Sequence, residues 1–147
     1  MADQSGTIFL AEDDDDDCLI FQEALQELNC TLEIVVSKNG VELMENLNKM
    51  MPRLPYVLFL DMNMPRKNGF ECLSEIREKD EFKDIPVVIL STSNQQEHIA
   101  MAYCLGAKYY MHKPTHFSQL VEGIEKILFS NSLSNGPTPF NEFIIQS

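Results

Sequence analysis

Basic residues are scarce in this chain. Eleven lysines and arginines stand against 23 aspartates and glutamates, a formal charge of −12, and no basic residue precedes Lys38. Such a balance repels a polyphosphate backbone and leaves no basic stripe to follow one, so nucleic acid is not an expected partner. Long apolar runs are missing as well. None approaches the roughly 18 residues of a membrane span, and no basic-headed apolar segment opens the chain. A soluble cytoplasmic protein without a membrane partner is expected. Cysteine and histidine are few and scattered: Cys18, Cys30, Cys72 and Cys104 form no CxxC or Cys/His pair, and His98, His112 and His116 share no ligand spacing. Reduced thiols and ordinary surface or strand histidines fit this better than a disulfide framework or a zinc site. At 147 residues a second domain has no room.

What is present is a regular alternation. Thr7 to Ala11 is an apolar run stopped by the acids Glu12 to Asp17, which reads as a buried strand ending at a loop. Cys18, Leu19, Phe21, Ala24, Leu25 and Leu28 then recur at helical spacing, with Asp16 or Asp17 placed to cap the first turn. Leu32 to Val36 is a second, β-branched run. Val41, Leu43, Met44, Leu47 and Met51 mark a second helix that Pro52 and Pro55 end. The device repeats with strands at Tyr56 to Leu60, Pro86 to Leu90 and Tyr109 to His112. Helices follow through Phe70 to Arg77, Ile99 to Leu105 and Phe117 to Leu128. Five continuous apolar strands alternating with five helices predict an α/β fold, a doubly wound parallel sheet covered on both faces. The domain is expected over 6–130, with a tail over 131–147 and no separate output domain. That tail turns to Asn, Ser, Gly and Pro and then to Phe140, Phe143, Ile144 and Ile145. Two readings stay open: a partly ordered end packed loosely on the domain, or a docking segment for a partner or a second copy.

In a doubly wound sheet ligands sit at the carboxyl ends of the strands. Glu12, Asp13, Asp61, Ser91 and Lys113 all fall there, though far apart in sequence. Three carboxylates and a lysine at one edge are costly unless a cation or an oxyanion joins them, and oxygen ligands of this kind suit magnesium with phosphate. Asp14 to Asp17 read as a solvated loop and helix cap.

The stretches IFLAEDD, LFLDMNMPRKNGFE, IPVVILSTS and GAKYYMHKP, in this order from Thr7 to about Phe129, resemble the response-regulator receiver family, and among its members short stand-alone receivers of kinase or phytochrome-type systems. The resemblance implies a flavodoxin-like sheet of order 2-1-3-4-5 and a phosphoacceptor at Asp61. It implies a Mg2+ site of Glu12, Asp13, Asp61 and the main-chain carbonyl of Asn63. Ser91 and Lys113 would contact the phosphoryl oxygens. Tyr110 matches the family's switch aromatic, which turns inward when Ser91 moves to the phosphate. A cis bond before Pro114 would aim Lys113 inward, and Asn63 and Thr92 stand where family members control access of water. Glu12 replaces the more usual aspartate of the acidic pair. The implied function is a single-domain response regulator of a two-component phosphorelay. Its partners would be a sensor histidine kinase or histidine phosphotransfer protein, an unnamed downstream protein and a possible homodimer mate. It would not be an enzyme in the ordinary sense. A haloacid-dehalogenase-type phosphatase would need an acid two residues after the nucleophile, where Asn63 stands.

Overall fold

A computed structural model of the protein describes residues 6–129, 133 and 136–145. Five strands arise where the apolar runs lie: β1 Thr7–Ala11, β2 Glu33–Ser37, β3 Val57–Asp61, β4 Val87–Ser91 and β5 Tyr109–His112. Helices α1 Asp15–Glu27, α2 Gly40–Met50, α3 Gly69–Glu78, α4 Gln96–Cys104 and α5 Phe117–Leu128 alternate with them. All neighbouring strands are parallel, in the order β2-β1-β3-β4-β5, with one further strand beyond β5. β1, β3 and β4 are buried along their whole length. Continuous apolar composition is what a strand covered on both faces requires.

The pleat sorts the side chains. Ile8, Leu10, Val57 and Phe59 point to the face covered by α1 and α5. Phe9, Leu58, Leu60 and Ile89 join the opposite cluster, with Leu43 and Leu47 of α2 and Leu73 and Ile76 of α3. Phe21 of α1 meets Phe59 edge-on, ring centroids 4.9 Å apart. Local signals start the helices. Asn68 and Glu71 form a reciprocal capping box at α3, both bonds 2.9 Å. The α1 cap is Asp14, whose carboxylate accepts from Asp17 N at 3.0 Å. The expected caps, Asp16 and Asp17, instead occupy the first turn with Asp15 and face the positive end of the helix dipole. Among the described residues no helix is long and apolar enough to cross a membrane.

The C-terminal segment joins the sheet. A 3-10 turn at Phe140–Glu142 leads to Phe143, which is fully buried, and to strand β6, Ile144–Ile145, beside β5. Tyr110 N donates to Phe143 O at 3.0 Å. The Phe143 ring lies 5.0 Å from Tyr103, and Phe140 lies 5.1 Å from the same ring. The sheet therefore has six strands, because the edge of β5 is open to pairing and the tail carries aromatic and aliphatic side chains to cover it. The Lys113–Pro114 bond is trans, and the cis peptide bond among the described residues is Met51–Pro52. Lys113 takes its direction from the strand end instead, with Lys113 N donating to Ser91 O at 2.7 Å.

Candidate functional site

Parallel register brings the ends of β1, β3, β4 and β5 to one rim. Glu12 follows β1 and is anchored by its N–H on Ser37 O at 2.9 Å. Asp61 ends β3 opposite Leu90, and Ser91 ends β4 opposite His112. The close approach of the β3–α3 loop depends on Gly69, where a Cβ would stand 2.5 Å from Asp61 O and 2.9 Å from Met62 Cα. Glu12 is 2% exposed, Asp61 4% and Ser91 0%, whereas Asp13 is exposed.

Oxygens of Glu12, Asp13 and Asp61 lie within 4.8 Å of one another. Lys113 Nζ reaches into this group, 2.8 Å from Glu12 Oε1, 3.5 Å from Asp61 Oδ2 and 3.3 Å from Asp17 Oδ2. Burial pushes the Glu12 carboxyl up to about 7, Asp61 beside it adds to the rise, and Lys113 offsets only part of it. Burial works against the charge of Lys113 too, but Glu12, Asp61 and Asp17 overcome it and hold the ammonium above its ordinary value. One lysine against four acids, Glu12, Asp13, Asp17 and Asp61, leaves the rim negative. Hard oxygen donors converging there fit a small divalent cation such as Mg2+. Asn63 N donates to Asp61 Oδ1 at 3.2 Å, so that Asn63 stands beside the same carboxylate.

The loop after β4 is tied on several sides. Ser91 Oγ accepts from Ser93 N at 2.9 Å and donates to Met62 Sδ at 3.6 Å. Ser93 Oγ lies 2.7 Å from His98 Nδ1, and His112 Nε2 lies 2.9 Å from Thr92 O. Tyr110 is turned inward at 1% exposure, its hydroxyl donating to Ser93 O at 2.7 Å. All the rim residues expected from the sequence thus share one region, Tyr110 lying one step behind it. Sequence reasoning missed Asp17, Ser93, His98 and Met62. Asp17 could have been found as a first-turn residue of a helix starting at this rim. Nothing in their spacing marked the other three. A cleft of about 410 Å3 opens beside Glu12 and Lys113 between α1 and α5, with Phe21, Leu90 and Leu120 in its wall. Leu19, Ile20 and Phe117 stand exposed on the same two helices.

Comparison with known proteins returns the family described as the response regulator receiver domain, matched over residues 8–125. Response regulator Rcp1 of Synechocystis sp. is 33% identical over 136 residues, covering 85% of this chain and 92% of the relative. Among solved structures, the phosphorylated cyanobacterial phytochrome response regulator RcpA is 37% identical with a TM-score of 0.77, covering 86% of this chain and 95% of that one. The Mn2+-bound form of response regulator Rcp1 is 31% identical with a TM-score of 0.76, over 86% and 96%.

Proposed function

This chain belongs to the response regulator receiver family, and on that premise we propose that it accepts a phosphoryl group on Asp61, with Mg2+, in the cytoplasm. The donor is the phosphohistidine of a sensor histidine kinase or histidine phosphotransfer protein, and the output is altered binding to a downstream protein. The observation that carries the reading is the cluster itself: Lys113 Nζ set between Glu12 and Asp61, with Asp13 alongside. Buried like charges arranged around a lysine are unfavourable in a scaffold and useful where a dianionic phosphoryl group must be received.

A carboxylate oxygen of Asp61 forms the bond to phosphorus as the bond from phosphorus to the donor imidazole nitrogen breaks. The imidazole leaves with that electron pair, and an acyl phosphate results. Glu12, Asp13, Asp61 and the main-chain carbonyl of Asn63 would hold Mg2+, whose charge offsets that of the phosphoryl oxygens among the carboxylates. Lys113 pairs with one phosphoryl oxygen and the Ser91 hydroxyl with another. The cleft between α1 and α5 and the exposed Leu19, Ile20 and Phe117 offer the donor protein an apolar foothold beside Glu12 and Lys113 of the rim. Asn63 and Thr92 flank the acceptor without supplying an acid, which favours an acyl phosphate of moderate lifetime.

The test is direct. With Mg2+ and acetyl phosphate, intact mass should show one added phosphoryl group on the wild type and none on Asp61→Asn. Equal incorporation in the variant would move the acceptor elsewhere.

A further inference from the structure

We propose that Met62 is a positioning residue: its sulfur holds the hydroxyl hydrogen of Ser91 before phosphorylation and so sets how readily the site takes up a phosphoryl group. The inference rests on Asp61 being the acceptor. A serine hydroxyl has one hydrogen to donate. Ser91 is fully buried, so that hydrogen cannot turn to bulk water, and here it goes to Met62 Sδ at 3.6 Å while the oxygen accepts from Ser93 N at 2.9 Å. A phosphoryl group on Asp61 requires the same hydrogen. The Ser93 bond can persist through that exchange, because it uses a lone pair; the Met62 bond cannot.

The sulfur is held in place by the fold. Met62 directly follows Asp61, its N–H donates to Leu90 O at 2.9 Å, one residue before Ser91, and its carbonyl accepts from Gly69 N at 3.0 Å. The side chain is 6% exposed. A thioether is a weak acceptor. It therefore gives a buried hydroxyl a partner and releases it at little cost, which neither an alkyl group nor an amide would do. An alkyl group leaves the hydrogen without a partner and raises the unphosphorylated state. An amide oxygen binds it more firmly and lowers that state.

Two substitutions at one position should thus act in opposite directions. With Mg2+ and acetyl phosphate, followed by intact mass on the full chain, Met62→Leu should be phosphorylated about fivefold faster than wild type and Met62→Gln about fivefold slower. In an Ser91→Ala background Met62→Leu should change nothing further. Both variants slower, both within twofold of wild type, or an undiminished Met62→Leu effect without the Ser91 hydroxyl would overturn the proposal. Thermal melts report whether each variant folds, and if Met62→Gln does not, Met62→Leu in the two backgrounds decides alone. Failure of the acceptor reading looks different: the wild type stays unphosphorylated or Asp61→Asn is labelled, and the role of Met62 then falls with it.

Discussion

Strand β5 contributes to two regions built on opposite principles. Just past its end, Lys113 joins the rim, where Glu12 and Asp61 are buried as like charges and one lysine is shared among three carboxylates. In its middle, Tyr110 joins an edge sealed by Phe143, with Tyr103 and Phe140 packed around it. The rim is held against its own electrostatics and can be relieved by a proton or a cation. The edge is held by apolar burial, which neither can alter. A molecule that must respond to charge needs the first kind of region, and it needs the second so that the response does not loosen the whole sheet.

The contrast can be broken most strongly at the edge. Phe143→Ala removes a fully buried ring and should lower stability by about 3 kcal/mol in denaturant melts, by the same amount at pH 5 and pH 8. A loss that depended on pH would show the edge to be coupled to the rim. At the rim the sign follows from Glu12, whose ordinary value of 4.5 rises to about 7 in the folded protein. The folded state binds more protons than the unfolded state across that window. The contribution of Glu12 to metal-free stability should therefore be fully present below 4.5 and fall as pH climbs to about 7, by on the order of 3 kcal/mol. Glu12→Gln should flatten the slope, and melts of that variant with an unchanged slope would assign it to another group.

Magnesium should act on the same charges from the other side. At free Mg2+ tenfold above its dissociation constant, stability at neutral pH should rise by about 1.4 kcal/mol, a few degrees in Tm. Asp13→Asn or Asp61→Asn should raise the metal-free Tm and shrink the Mg2+ increment, since each removes one repelling charge and one ligand. A Tm indifferent to Mg2+ in the wild type would mean that the carboxylates do not act together. The smallest effect belongs to a charge pair outside both regions. Lys38 is paired with Asp15 at 37% and 90% side-chain exposure, and Lys38→Ala should cost no more than about 0.5 kcal/mol at low salt.

The alternation of elements is legible in the residues alone, because apolar periodicity reports which side chains must leave water. β1, β5 and α5 begin and end where Thr7–Ala11, Tyr109–His112 and Phe117–Leu128 mark them. The same alternation places Glu12, Asp13, Asp61, Ser91 and Lys113 at one rim, since parallel strands must all end on the same side of the sheet. What those elements meet follows from packing between segments distant in the chain. Strand β6 is two residues long, too short for any period to show, and it exists only because β5 presents an open edge and Phe143 a face to bury. Asp14 caps α1 in place of its equally acidic neighbours because the strand end leaves it at the start of the first turn. Ser93 and Met62 bond the Ser91 hydroxyl, and His98 the Ser93 hydroxyl, through contacts set by the β3–β4 register and the path of the loop after β4. A periodic pattern records how much of a side chain is covered, while hydrogen-bond partners depend on distances of a few tenths of an ångström between segments far apart in the chain, and those appear only once the sheet has closed.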